Sequence, residues 1–491
     1  MHSRTRIVAT VGPASDSDET LDAMIAAGAD VFRLNLSHGT LEQHLALIPR
    51  IRQRAQLAGA VVAVLADLPG PKVRAGDFGP DGVTLVPGSG LALVTADGTS
   101  GAAQICVDYP TLLADLSAGD RVVIGDGAIS LSVVSVDDTE AWCTVLTGGT
   151  VRGRPGVHLP SEHLQLGTPT SEDLVLARMM VAAGVDFLAV SFVRRADDLR
   201  AVRAAIAPAT ARLVAKIETV AALGHLDEII AEANALMVAR GDLGIECPLE
   251  DVPHLQKRII RACVEAAVPV VTATQMMESM VTAPSPTRAE VSDIANAVFD
   301  GTDALMLSGE TAVGADPALV VGTMSQVALR AEQEDSYRAW AERFDRHQRV
   351  PATGTAAPFG AAGANRHGPR RITMAITRAA AIAAVDADVA AILCCTRSGR
   401  TVQAMARFRP TARLIGLSPD PATVRALSLC WGVTALDVDE YANTDEMVWF
   451  AIEKSVHAGL VQRGDTVMVL ACAPDAPITV ATDMLRIVTV S

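Results

Sequence analysis

The stretch Leu213-Val214-Ala215-Lys216-Ile217-Glu218 runs a series of β-formers into a lysine and a glutamate. Side chains on a strand alternate between its faces, so Lys216 and Glu218 point the same way, about 7 Å apart along the chain. Only four of the 41 basic residues are lysine: Lys72, Lys216, Lys257 and Lys454. A chain that uses arginine nearly everywhere keeps an ammonium where a compact charge serves better than a planar fork. Taken alone, the two residues also fit a solvated ion pair at a strand end. A second carboxylate, Asp242, follows the next apolar run in Arg240-Gly241-Asp242. Two hard oxygen donors with no His or Cys cluster suit Mg²⁺ or Mn²⁺, which keep waters and open positions, rather than zinc. Arg33, Arg74 and Lys216 supply positive groups suited to transferring phosphoryl oxygens. Together these types describe a phosphoryl-transfer site, where positioning and charge neutralisation do most of the catalysis. The chain has no Walker A sequence and no Gly-rich kinase loop, so any nucleotide is held by another device.

The elements that must position these residues are legible as short apolar runs alternating with amphipathic helical runs. Strands are predicted at Arg6–Val11, Val31–Asn35, Val61–Asp67, Phe187–Ser191, Leu213–Glu218, Leu236–Ala239, Val270–Thr274 and Ala304–Leu307. Eight β/α units with parallel strands imply an α/β fold, a closed (β/α)8 TIM barrel. Chemistry in such barrels sits at the carboxyl ends of the strands. This chain places there Arg33 and Asn35, Asp67, Ser191, Lys216 and Glu218, Arg240 to Asp242, Thr274, and Ser308 with Glu310. Any one of these could be an ordinary strand end; the joint pattern is not. Thr287-Arg288-Ala289-Glu290 reads as a capping box, with Gly301 as the helix stop. The barrel takes residues 1–72 and 168–332. Between them, 73–167 alternates short strands with turns and no long helix, an inserted all-β domain. Residues 333–491 form a C-terminal α/β domain, entered through a charged helix and the Gly/Ala/Pro-rich linker Pro351–Pro369.

A net charge of −15 argues against a nucleic-acid partner, which calls for a basic face. Eight cysteines without C-x-x-C spacing read as reduced, mostly buried thiols in a cytoplasmic protein. The N-terminus runs directly into a strand, with no signal peptide expected. The most apolar stretch, Ala379–Cys395, carries Asp386 and Asp388, so no membrane span is expected.

The blocks "TRIVATVGPAS" (Thr5–Ser15), "VFRLNLSHG" (Val31–Gly39), "AKIET" (Ala215–Thr219), "MVARGDLGIE" (Met237–Glu246), "TATQMMESM" (Thr272–Met280), "PTRAEVSDIANAVFDG" (Pro286–Gly301) and "LMLSGETAVG" (Leu305–Gly314) resemble the signatures of the pyruvate kinase family. They cover most of residues 1–330, in order, and the β insertion falls where that family has its lid. The resemblance implies a glycolytic enzyme that converts phosphoenolpyruvate and ADP to pyruvate and ATP. It implies Lys216 on the transferring phosphoryl group and Glu218 with Asp242 on the divalent ion. Gly241 and Asp242 would meet the substrate carboxylate, with Thr274 near the face where the enolate is protonated. Arg33 matches the arginine bridging both phosphates; Asn35, His38, Arg74 and Arg195 match the nucleotide side, and Asp126 keeps its family place. Homotetramers are the family expectation. Two rivals remain: a divalent-metal lyase or aldolase of pyruvate enolates, and a non-catalytic regulatory paralogue.

Departures from the family pattern are informative. Many relatives bind K⁺ with the counterparts of Asn35, Ser37 and Asp67 and a threonine where this chain has Leu68; in them a glutamate stands where it has Lys72. Lys72 is therefore expected to supply an internal cation, with no K⁺ requirement. A K⁺ beside it would meet like-charge repulsion of about 4 kcal/mol at 4 Å and an effective dielectric of 20. In the lid, "RGRPGVHLPSEHL" (Arg152–Leu164) has Pro155, His158 and Ser161 at variant places, and Arg152 or Arg154 could replace a lost charge. "CTRSGRTV" (Cys395–Val402) resembles the family's effector phosphate loop, giving Thr396, Arg397, Ser398, Gly399, Arg400 and Thr401 as a candidate site for a phosphorylated effector. A helix cap explains Ser398 and Thr401 equally well. The glycine-rich segment closing that pocket in relatives is replaced by Ala473–Leu485.

Overall fold

The computed structural model describes residues 2–125, 127, 129–159, 167–338, 369–441, 443–472 and 481–491. Asp126, Ser161 and the linker residues 351–368 named above lie outside this set, as does 473–480. Eight parallel strands close a barrel: Arg6–Val11, Val31–Asn35, Ala63–Asp67, Phe187–Val190, Arg212–Ile217, Ala235–Ala239, Val270–Ala273 and Ala304–Leu307. Each pairs with its neighbours in sequence, and the first closes onto the eighth with Arg6 opposite Ala304. The predicted strands are all present, three with the same bounds and five with one or both ends moved by one or two residues.

Strand pleating decides what faces inward. Val8, Val31, Leu65, Phe187, Ala189, Val214, Met237, Val271, Ala273 and Met306 fill the barrel interior as one buried cluster. Their alternate neighbours, among them Ile7, Phe32, Val64, Leu188, Leu213 and Val238, pack against the surrounding helices. Carrying the inward parity on towards the carboxyl ends brings Thr10, Arg33, Asp67, Ser191, Lys216 and Glu218 to one mouth. The helix Arg288–Asp300 has the expected capping box between Thr287 and Glu290 and ends at Gly301, whose φ of 96° suits a residue without Cβ. Glu290 also accepts from the amide and hydroxyl of Ser279, tying the loop after the seventh strand to this helix.

The insertion after the third strand is a β domain with its own apolar core and a six-stranded sheet. Its two connecting segments run side by side, Ala75 donating to Pro155 and Val157 to Val73. The C-terminal region is a five-stranded sheet ordered Val433–Asp437, Arg413–Ser418, Ala391–Cys395, Thr466–Ala471 and Met484–Thr489, the last strand antiparallel.

This region docks on the amino-terminal end of the barrel. Ala426 and Leu429 join the interior barrel cluster and stop its lower end. Aspartates that immediately precede barrel strands receive arginines from the docked region: Arg409 meets Asp303 at 2.9 Å and Arg425 meets Asp186 at 2.8 Å. Arg6 reaches back to the carbonyls of Cys430 and Val433. The polar work at this end is therefore structural, which leaves chemistry to the other. Seven cysteines are buried, Cys472 is half-buried, and all eight are free. Among the described residues, no helix is long and apolar enough to cross a membrane.

Candidate active site at the barrel mouth

Asp67 is the centre of the site. Its carboxylate is 1% exposed at the end of the third strand, and both oxygens meet cations. Oδ2 accepts from Arg33 Nε and lies 2.7 Å from the same guanidinium's second nitrogen. Oδ1 lies 3.2 Å from Lys216 Nζ. Arg33 is steadied on its other side by the hydroxyl of Thr10 at 3.1 Å. Lys216 Nζ spends its three donors on Ser191 Oγ at 2.7 Å, Glu218 Oε1 at 2.8 Å and Asp67. Ser191 Oγ donates in turn to the carbonyl of Leu68 at 2.7 Å. The ammonium is thus aimed by three partners on three strand ends, not left as a wet strand-end pair.

The electrostatics follow from burial against charge. Burial alone would pull the Lys216 ammonium down, but Asp67 and Glu218 outweigh it and hold its pKa above the ordinary lysine value. Burial would push Asp67 up; Lys216 and Arg33 overcome this and hold it low. Glu218 is pushed up to about 7, first by burial and further by the Asp242 carboxylate, with Lys216 pulling the other way. Glu218 and Asp242 therefore repel each other across the mouth. Glu218 is fixed by the Phe192 amide at 2.6 Å, and no described residue hydrogen-bonds the Asp242 carboxylate. Two facing carboxylates, one without a protein donor, fit a divalent ion that neutralises both. Two carboxylate donors would leave open positions on such an ion for water and substrate.

These groups line a cavity of about 230 Å³. Its walls include Arg33, Asp67, Lys216, Glu218 and Asp242 from the barrel, Asn35 at the end of the second strand with Ser37 and His38 after it, and Gly156 to Leu159 from the inserted β domain. Partial desolvation of the His38 ring at the cavity rim, then the charges of Lys72, Arg74 and Arg33, lower its pKa. Lys72 is on the wall of the same cavity. Leu68 is 1% exposed in the apolar layer and carries no side-chain oxygen.

Four candidates stand off this cavity. Arg74 pairs with Gly156 in an isolated bridge and donates to the carbonyl of Arg154 at 3.2 Å. Arg195 is exposed at the start of the helix Ala196–Ile206, while Arg194 beside it lines the cavity. Gly241 and Thr274 form a neighbouring unit in which the Gly241 amide donates to Thr274 Oγ1 at 2.8 Å. Thr274 has φ 67° and Gln275 φ 52°. A left-handed β-branched residue costs on the order of 1–3 kcal/mol, which the surroundings must overcome. The sequence reading missed Arg194 and Glu246 as cavity residues. Nothing in their spacing signals it, because both follow their strands by several residues.

Away from the mouth, a cavity of about 960 Å³ lies between the barrel and the C-terminal domain. Thr396, Arg397, Ser398, Arg400 and Thr401 line it, facing Arg212 from the barrel. Thr396 Oγ1 accepts from the Gly399 amide, and Thr401 shares a hydrogen bond with Thr482.

A parallel barrel whose mouth joins two carboxylates to a half-buried lysine and a buried arginine is the frame of a phosphotransferase. The family model described as the pyruvate kinase barrel domain matches residues 2–321, and that of the pyruvate kinase alpha/beta domain matches 374–488. A pyruvate kinase of Geobacillus stearothermophilus is 40% identical over 496 residues, covering 100% of this chain and 81% of its own length. One from Methylorubrum extorquens is 39% identical over 485 residues, covering 99% and 97%. The crystal structure of a pyruvate kinase from Cryptosporidium parvum superposes with a TM-score of 0.86 at 30% identity, covering 99% of this chain and 96% of that one. The chain belongs to the pyruvate kinase family, and it is an enzyme of phosphate transfer.

Proposed function

We propose that this enzyme moves the phosphoryl group of phosphoenolpyruvate to ADP, giving pyruvate and ATP. The observation that carries this reading is the aimed Lys216 ammonium, 2.8 Å from Glu218 and beside the Arg33–Asp67 pair. The enol oxygen–phosphorus bond breaks, a bond forms to a terminal ADP oxygen, and the enolate left behind takes a proton at its methylene carbon. Lys216 and Arg33 lie where charge shifts between donor and acceptor oxygens, and their positions are fixed beforehand. The Gly241 amide and Thr274 hydroxyl stand at the enolate side. Glu218 and Asp242 would hold Mg²⁺ or Mn²⁺, which supplies further positive charge to phosphoryl and enolate oxygens when bound. Asn35, His38, Arg74 and Arg195 serve the nucleotide side, and the lid, residues 73–167, excludes water above it.

K⁺ is not required in this reading. Asn35, Ser37 and Asp67 remain, but Leu68 offers no side-chain oxygen and Lys72 brings a fixed positive charge to the same cavity. The loop Thr396 to Thr401 receives a phosphorylated effector, and the chain works in the cytoplasm as a homotetramer, as the family resemblance implies. The test is ATP formation from phosphoenolpyruvate, ADP and Mg²⁺ in sodium-free buffer, with and without K⁺. Turnover without K⁺ supports the reading. A strict K⁺ requirement overturns the Lys72 assignment, and nucleotide-independent aldol cleavage overturns the reaction.

A further inference from the structure

We infer that Arg240 is a positioning residue that turns Thr274 towards Gly241 and Asp242 at the edge of the barrel mouth, with Asp293 as its anchor. The inference rests on the reading of Thr274 as the group at the protonation face of the enolate.

Pleat parity poses the problem. On the seventh strand Val271 and Ala273 point into the barrel, and Val270 and Thr272 point to the helix layer. Regular continuation would send Thr274 outward, away from the substrate. The chain instead enters the left-handed region at Thr274 and Gln275. That turn brings Thr274 Oγ1 to the Gly241 amide, beside Asp242. Neither residue is glycine, so an external clamp has to hold the conformation.

Arg240 is that clamp. It opens the helix that follows the sixth strand and is half-buried, and its guanidinium grips the turn at consecutive carbonyls: Nε donates to Ala273 at 3.1 Å and one terminal nitrogen to Thr274 at 2.6 Å. The other terminal nitrogen meets Asp293 at 2.6 Å and Gln256 at 3.3 Å. Asp293 belongs to the helix Arg288–Asp300, part of a sequence block with no contact of its own to the mouth. Only a planar fork spans two successive carbonyls and a carboxylate at once; a lysine could satisfy one. The same residue run therefore supplies the clamp in Arg240, the amide in Gly241 and the carboxylate in Asp242.

An enzyme that protonates bound enolate also removes a methyl proton from bound pyruvate in reverse. Deuteration of the pyruvate methyl group in D₂O, followed by proton NMR with Mg²⁺ and ATP present, isolates this step from ATP formation. Thr274→Val, Arg240→Lys, Asp293→Asn and the double variant Thr274→Val/Arg240→Lys are compared with the parent enzyme. Arg240→Lys is expected to lower the ratio of methyl exchange to ATP formation at least about tenfold, in line with the loss of a placed proton-transfer group. Asp293→Asn, at a half-exposed and isosteric position, is expected to lower it in the same direction while keeping the fold. In the double variant the ratio is expected to match Thr274→Val, because the arginine acts through the threonine. An unchanged ratio in Thr274→Val overturns the reading of Thr274 and this inference with it. A lowered ratio there, with Arg240→Lys and Asp293→Asn both unchanged, overturns the positioning role alone. So does an Arg240→Lys effect that multiplies with Thr274→Val.

Discussion

Replacing Asp67 by asparagine keeps the shape of the side chain and removes the one negative charge shared by Arg33 and Lys216. The structure sets the scale. At 2.7 Å and 3.2 Å the two attractions amount to about 6 and about 5 kcal/mol with an effective dielectric of 20, before the cost of desolvation is subtracted. Asparagine can accept from only one of the two cations and turns an amide donor towards the other. Breaking such a buried group costs about 3–5 kcal/mol net. For a domain of this size that corresponds to a fall in Tm of about 6–20 °C. Activity should fall with it, because Arg33 and Lys216 lose their common reference point. The pH dependence supplies a sharper check. Asp67 has a lowered pKa in the folded protein, so its contribution is complete above the unfolded value and is lost only as pH falls through the folded one. The gap in Tm between parent and Asp67→Asn should stay constant from neutrality downwards and narrow only below about pH 4. Melting curves by circular dichroism across that range, with ATP formation measured on the same samples, provide the assay. Equal Tm and equal turnover at pH 7 would refute the reasoning, as would a gap that begins to close near neutrality.

Glu218→Gln should raise the Mg²⁺ or Mn²⁺ concentration needed for half-maximal turnover by about 100-fold or more, since losing even an outer partner of a ligand commonly costs about 10–100-fold; an unchanged metal titration would remove Glu218 from the ion. Combining Lys72→Glu with Leu68→Thr should create a K⁺-stimulated enzyme, read as the ratio of initial rates with and without K⁺, and a ratio that stays at one counts against the internal cation. Arg409→Met should cost about 3–5 kcal/mol, since it leaves Asp303 with a buried charge and, among the described residues, the Val270 amide at 3.0 Å as its remaining side-chain partner. A scanning-calorimetry trace identical to the parent's would show that the ion pair does not hold the C-terminal domain to the barrel.

Much of the fold was legible because its signals are local. Eight apolar runs with turn chemistry between them specify a barrel almost strand by strand, and Thr287, Glu290 and Gly301 mark one helix at both ends. The site was legible for the same reason: a period of two links Val214 in the core to Lys216 and Glu218 at the mouth, so knowing which residues are apolar tells which polar ones face inward. The lysine pattern then identified the ammonium among many guanidinium groups.

What could not be read depends on contacts between residues far apart in sequence. That Asp67 serves two cations requires knowing that the second, third and fifth strand ends converge. Arg194 and Arg195 are adjacent and chemically identical, and only the path of the chain after Ser191 decides that the first lines the cavity and the second faces solvent. Thr274 is the instructive case, since the rule that places Lys216 correctly would place Thr274 on the wrong side. Its position depends on a reversal of φ that no side-chain pattern encodes, held from outside by an arginine whose sequence neighbours looked sufficient to explain it. Periodicity therefore reveals the residues that continue a strand. Those at the turn beyond it become readable only once the groups that pin the turn are known.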